Sequence, residues 1–307
     1  MTNKLGWNQP LYILPFDHRN TFSKELFSTD GTLNRDQIEI IKHAKQLIYE
    51  AFLLCIERET PKEYAAVLVD EQYGNEILLN AKSRGLTFCI NVERSGQHEL
   101  DFEYGDEYAS HIKKYDPTFC KVLVRYNPDS DTELNKRQLQ KLAVLNEFCK
   151  VNKYKYLVEV LIPPTDKQFS EAENILAKYE TEIRPELTVK TIKKMQENNV
   201  EPDVWKIEGF FTKQDYLNVV KQARKEKRKN VGVIILGKGD SKEHVEKWIT
   251  EGAQVDGVIG FAVGRTVFLE PLKEFIKDKI SKEACVEKIH DNFIYYYKLF
   301  ESSKKSV

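Results

Sequence analysis

The stretch PDVWKIEGF, Pro202 to Phe210, sets an amine and a carboxylate into what otherwise reads as a buried strand. Val204, Trp205 and Ile207 form a short apolar run, with Lys206 in its middle and Glu208 two residues on. Side chains two apart on a strand share a face, so Lys206 and Glu208 point the same way. An unpaired ion in a low-dielectric interior loses its hydration, so each of these charges must be paired, neutralised or in contact with a ligand.

Seven further runs of similar composition surround this one: 11–17, 65–70, 86–93, 119–126, 156–163, 231–237 and 257–264, with 203–209 as the sixth of eight. Most are nearly continuous in Val, Ile, Leu and Phe, which is the composition of parallel strands covered on both faces. Helix-length amphipathic segments separate them, for example RDQIEIIKHAKQLIYEAFLLCIE after the first and TELNKRQLQKLAVLNEFCKVN after the fourth. In the long segment after the fifth, Pro185 is expected to break one helix and open the next. Gly252, at the end of KEHVEKWITEG, is placed to end its helix. Eight β-then-α units over 307 residues predict an α/β protein, a single (β/α)8 TIM barrel spanning residues 1–307. The rival is a doubly wound open sheet, but no glycine-rich fingerprint follows the first strand to support a dinucleotide-binding version.

Composition excludes several classes. Lys plus Arg number 47 against 48 Asp plus Glu, a net charge of -1, so there is no electrostatic reason to expect nucleic acid or an acidic membrane surface as a partner. The basic run 221–230 has no interleaved aromatics and reads as a solvated helix face. No apolar stretch approaches the ~18 residues of a membrane helix, and the first residues lack a secretory pattern. The five cysteines are scattered without metal-ligand spacing, as expected for buried free thiols of a cytoplasmic protein.

A barrel gathers its functional side chains at the carboxyl ends of its strands. Asp17 ends the first run, Asp70 the second, and Glu93 lies late in the third; Lys121 is early in the fourth, Glu159 central in the fifth, Lys206 and Glu208 late in the sixth. These charges, drawn from different strands, would converge on one site, against the alternative of a structural ion-pair cluster. The seventh and eighth runs lead into ILGKGDS and GFAVGRT. Loops at those positions often hold a phosphate on backbone amides and a helix N-terminus. Gly237, Gly239 and Gly264 would allow close approach, and Arg265 offers a fork of donors.

A lysine near acids beside a phosphate pocket suggests Schiff-base chemistry. Its unperturbed pKa of ~10.4 keeps it protonated and non-nucleophilic, and desolvation or a neighbouring cation lowers that value. Lys121 is placed to be that cation for Lys206, with Glu159 or Asp17 moving protons.

LPFDHR, DEQYG, LVEVL, VWKIEG and GFAVGRTVF, in that order, resemble the class I barrel aldolases related to tagatose-bisphosphate aldolase, and most closely the 2-deoxy-5-keto-gluconate-6-phosphate aldolase-like domain of bacterial inositol catabolism. The resemblance runs from about Leu11 to Phe268. It implies Lys206 as the Schiff-base lysine, Lys121 as its charged neighbour, Glu159 as proton-transfer group and Asp17 as a second polar participant. Gly264 and Arg265, with the Gly237–Gly239 turn, would hold phosphate. The implied substrate is a phosphorylated keto sugar acid, cleaved to dihydroxyacetone phosphate and a small aldehyde such as malonate semialdehyde, without metal or other cofactor. Lys238 departs from the small residue expected there, and is either an extra phosphate or carboxylate ligand or solvent-exposed.

Other readings stay open. His18 either contacts substrate or makes a structural hydrogen bond to neighbouring backbone. Asp70, Glu71 and Tyr73 either line the site or, as favoured for Asp70, begin a helix. The remaining histidines lack the paired spacing of a zinc site, so a metal-dependent barrel aldolase is the alternative among enzymes. A non-catalytic phosphosugar-binding barrel is the alternative from another class. The aromatic stretch 287–300 either covers the outer wall of the barrel or meets a second copy in a homo-oligomer.

Overall fold

A computed structural model describes residues 4–27 and 32–304. Eight parallel strands close into one barrel in chain order: β1 (Leu11–Pro15), β2 (Ala65–Val69), β3 (Thr87–Asn91), β4 (Phe119–Arg125), β5 (Lys155–Leu161), β6 (Val204–Glu208), β7 (Gly232–Leu236) and β8 (Val258–Ala262). Each expected run coincides with one strand, β5 starting one residue ahead of its run, and β8 pairs with β1 to complete the ring, which removes the open-sheet alternative. Nearly every strand residue is buried because helices cover the outside while side chains fill the inside.

The period of two sorts each strand into two environments. On β6, Trp205 and Ile207 face outward into the layer beneath the helices, while Val204 belongs to a small inner cluster with Leu11, Ile13, Leu68, Phe119 and Leu157. That inner apolar layer is closed at the amino end by Trp7, whose ring packs edge-on against Phe119 at 4.9 Å. Asp203 pins the entering chain by accepting from the Gly6 amide at 2.8 Å and from Lys155 Nζ at 2.8 Å. On β4, β5 and β6 the next inward positions are Lys121, Glu159 and Lys206. Apolar floor and polar upper layer therefore arise from one alternation.

Local signals set the helix starts. Asn34 with Gln37 and Thr165 with Gln168 form reciprocal capping boxes, and Asp70, Asp131, Thr212 and Ser241 each accept a backbone N–H in the first turn. Helix Thr132–Asn152 has the bounds expected from its sequence. Pro185 does open helix Arg184–Glu197, directly after a π-turn at Tyr179–Ile183. Gly252 corrects an expectation: helix Lys242–Ala253 runs past it to a cap at Gln254. Its reason is packing, since a Cβ there would sit 2.4 Å from Ile235 Cδ1.

Helix Lys282–Lys304 lies against helices Arg35–Arg58, Lys242–Ala253 and Arg265–Ile276, so the aromatic stretch covers the outer wall. Phe293, Tyr296 and Phe300 pack there around Phe261. All five cysteines are buried free thiols. Among the described residues no helix is long and apolar enough to cross a membrane.

Candidate active site

Lys121 and Lys206 enter the barrel from β4 and β6, with Glu159 between them on β5 and level with Lys206 in the strand register. A single oxygen, Glu159 Oε2, lies 2.9 Å from Lys206 Nζ and 3.0 Å from Lys121 Nζ. Lys121 also meets Asp17 Oδ2 at 2.9 Å and Glu93 Oε1 at 2.6 Å. Lys121, Glu159 and Lys206 are 2%, 7% and 4% exposed, so these contacts act in a largely dehydrated space.

The electrostatics follow from that packing. Burial alone would push Asp17 up, but the field of Lys121, His18 and Lys206 outweighs it and holds the carboxyl well below the usual range. Glu159 is likewise lowered, because its two lysines overcome its burial. Burial works against the charge on Lys121, yet Asp17, Glu159 and Glu93 raise its affinity for a proton far above the ordinary value. Glu93 moves the other way: burial, reinforced by Asp17, raises it despite Lys121. Lys121 thus lies against three acids, and pairing of this kind is what lets buried charges tolerate enclosure.

These residues form the floor of a cavity of about 280 Å³ at the carboxyl ends of the strands. Asp17, His18, Lys121, Glu159 and Lys206 line it, and across from β3 and β4 so do Gly237, Lys238, Gly239, Gly264 and Arg265. The β7 turn is tight, with Asp240 N donating to Gly237 O at 3.0 Å and Lys238 and Gly239 both at positive φ. Gly239 has a φ of 76°, which favours glycine, and a Cβ there would lie 2.5 Å from the Arg265 guanidinium carbon and displace that side chain. Helix Arg265–Ile276 begins at Gly264 without a side-chain cap, leaving its first amides available to an anion.

Two expected ligands carry partners of their own. Arg265 donates to Glu25 Oε1 at 2.8 Å and to the Lys238 carbonyl. Lys238 reaches Glu180 at 2.6 Å and Glu208 at 3.0 Å. Burial disfavours its charge, but Glu208 and Glu180 outweigh burial and raise its pKa. Glu208 also accepts from the Ile162 amide at 3.1 Å; it braces the β7 turn and is not part of the cavity lining.

His18 lines the cavity with Nδ1 buried and unpartnered, so its ring makes no backbone bond through that atom. Burial, with Arg265, Lys206 and Lys45 nearby, lowers its pKa to about 4 despite Asp17. Asp70 caps helix Glu71–Ser83 through Tyr73 N at 2.8 Å and lies outside the lining, as do Glu71 and Tyr73.

Two residues around the site, Arg19 and Lys45, escaped sequence reasoning, and a third, Glu93, was read as converging on it without a named partner. Glu93 was visible as a charge late in a strand, but only closure of the barrel makes it a ligand of Lys121. Arg19 holds that strand end by donating to Glu93 O at 2.7 Å and to Glu103 at 2.6 Å. Lys45, in helix Arg35–Arg58, is fully buried against Asp70 and donates to Phe16 O at 2.7 Å and His18 O at 3.0 Å, gripping the backbone on both sides of Asp17. Its only sequence signal is a lysine on the apolar face of a helix. Arg19 Nε, Asn91 Oδ1 and Glu93 Oε2 remain buried without partners among the described residues, as does His18 Nδ1. Such a concentration of unsatisfied polar atoms is what a polar guest would complete.

Fold and cluster together define a (β/α)8 barrel with a buried lysine–carboxylate centre at the carboxyl ends of its strands. Solved structures of this fold include fructose-bisphosphate aldolase from Plasmodium falciparum, at 16% identity and TM-score 0.59 over 96% of this chain and 92% of that one. A Schiff base forming fructose-1,6-bisphosphate aldolase is similar at 14% identity and TM-score 0.56, covering 92% of both chains. Cgl0159 from Corynebacterium glutamicum is similar at 14% identity and TM-score 0.56, over 94% of this chain and 88% of that one. At these identities the likeness is one of fold. No curated protein matches the chain in sequence. Residues 1–304 match the family described as "Uncharacterized protein conserved in bacteria (DUF2090)", and the chain belongs to it.

Proposed function

We propose that this protein is a Schiff-base (class I) aldolase acting on a phosphorylated keto sugar acid, with 2-deoxy-5-keto-gluconate 6-phosphate, dihydroxyacetone phosphate and malonate semialdehyde as substrate and products. The observation that carries it is Lys206 Nζ, buried at the floor of the cavity and sharing Glu159 Oε2 with a second ammonium, Lys121. A neighbouring cation and an acceptor for its proton are what a lysine needs to become a nucleophile. The two similar structures described as fructose-bisphosphate aldolases, one of them Schiff base forming, share this fold and agree with the proposal.

In this scheme Lys206 gives up a proton to Glu159 and its nitrogen adds to the ketone carbon. Glu159 returns that proton to the leaving hydroxyl, and loss of water leaves a protonated imine and an ionised carboxylate. A carboxylate, Asp17 or Glu159, then removes the proton from the β-hydroxyl, the adjacent carbon–carbon bond breaks, and its electron pair moves to the imine nitrogen as an enamine while the aldehyde departs. Reprotonation at carbon and hydrolysis free dihydroxyacetone phosphate and restore the amine. Asp17 and Glu159, both held below the ordinary carboxylate range, are ionised and ready to accept protons at neutral pH.

Borohydride reduction in the presence of dihydroxyacetone phosphate, followed by peptide mass mapping, tests this. The expected result is an adduct on Lys206 in the wild type and none in Lys206→Met, together with loss of cleavage in the variant. Full activity of Lys206→Met ends the proposal. Cleavage without an adduct and abolished by a chelator would indicate a metal-dependent aldolase; phosphosugar binding without either would indicate a binding protein.

A further inference from the structure

Seven arginines and lysines line the cavity, and six of them, Arg19, Arg94, Lys121, Lys206, Lys238 and Arg265, already have a carboxylate within 4 Å. Arg125 is the exception. Among the described residues its one hydrogen bond runs from Nη1 to the Gln97 carbonyl at 3.1 Å, and no carboxylate meets it. That single bond ties it to the loop after β3 and leaves the rest of the guanidinium fork unspent.

Its position is set by the strand. Arg125 closes β4, on the same face as Lys121 and Leu123, and all three line the cavity. It stands four residues above Lys121, about 13 Å along the strand. Leu161, its register partner on β5, lines the cavity beside Leu123. In a ring closed in the order β1 to β8, β4 stands opposite β8, so Arg125 faces the Gly264–Arg265 turn across the mouth. Between the imine-forming floor and this unpaired cation the wall is apolar, made by Leu123 and Leu161.

We infer that Arg125 is a specificity residue: it takes the carboxylate at the end of the substrate remote from the phosphate, with the intervening methylene against Leu123 and Leu161. This rests on the aldolase assignment and deepens it, for it makes the aldehyde product a short acid. An arginine fork matches a carboxylate in two parallel hydrogen bonds, and at a cavity mouth the site selects an anionic fragment over a neutral one of similar size.

The condensation direction reads the selection directly. Dihydroxyacetone phosphate is offered with malonate semialdehyde or with propanal, and the ratio of the two kcat/KM values is compared between wild type and Arg125→Leu. The ratio is expected to fall roughly 10- to 100-fold in the variant, the range of one charge-assisted contact, with partial recovery in Arg125→Lys. An unchanged ratio overturns the proposal. A second measurement needs no turnover: malonate binding by calorimetry is expected to weaken tenfold or more in Arg125→Leu, and equal binding in both proteins, or none in either, overturns it. Inorganic phosphate is titrated in parallel, and loss of phosphate binding in place of malonate binding would move Arg125 to the phosphate end and also overturn it. The Lys206 adduct, trapped in the same preparations, reports on the aldolase assignment separately.

Discussion

Glu159 Oε2 is shared by two ammonium groups, so exchanging this one oxygen changes both. Glu159→Gln keeps the shape and removes the charge and the proton acceptor. Proton transfer by a positioned side chain is worth about 10²–10⁴-fold, and kcat is expected to fall by that much while circular dichroism keeps the wild-type form and the melting temperature drops, since two buried ammonium groups lose a partner. His18 supplies a stability test. Its pKa is about 4 when folded against an ordinary 6.5, so between those values the unfolded chain binds more protons and stability falls as pH drops through that window. Denaturant unfolding at pH 7 and pH 5 is expected to show a smaller loss in His18→Gln than in wild type. An equal loss would show that His18 titrates normally. Asp17 and Glu159, lowered in the fold, lose stability at lower pH in the same direction and do so in both proteins.

Helix Arg35–Arg58 covers β1 and β2, yet through Lys45 it also holds the segment after β1 that carries Asp17 and His18. Lys45→Met fits the apolar face but leaves Asp70 buried without its cation. Removing one partner of a buried pair costs about 3–5 kcal/mol, which would appear as a lower denaturation midpoint with an unchanged slope. Asp70 was legible as a helix start, because an aspartate before a helical run is a common cap. Its second task as Lys45's partner was not, because the two residues are 25 apart in sequence and belong to different elements. The β7 turn shows the same limit. ILGKGDS identified a glycine turn, whereas the tie of Lys238 to Glu180 depends on where the π-turn after β5 comes to rest, and its tie to Glu208 on the pairing of β6 with β7.

Across the whole molecule, ring closure decides which charges meet. It sets the β7 and β8 turns on one side of the mouth and the β3 and β4 ends on the other, with the lysine cluster below both. Arg265 belongs to the first side, and its fork is shared with Glu25. Arg265→Ala is expected to raise KM for a phosphorylated ketone about tenfold or more, with a smaller change in kcat, the pattern of lost binding felt equally by ground and transition states. Steady-state kinetics check it, and an unchanged KM removes Arg265 from the phosphate site. A long-range field would not reproduce such an effect: with 47 basic and 48 acidic residues the net charge is -1, so binding has to come from local groups.

From the sequence alone came the eight strands, their order, the helix starts at Asp70 and Pro185 and the inward charges Asp17, Lys121, Glu159 and Lys206, because a period of two, apolar runs and helix-start residues are local properties of a chain. Only the tertiary structure decided that Lys121 takes three acids, that Glu208 turns to Lys238, that Lys45 grips the flanks of Asp17, and that Arg125, alone among the lining cations, meets no acid among the described residues. Pairing depends on distance in space. In a closed ring that distance is set by register and shear between strands far apart in the chain, which no local pattern encodes.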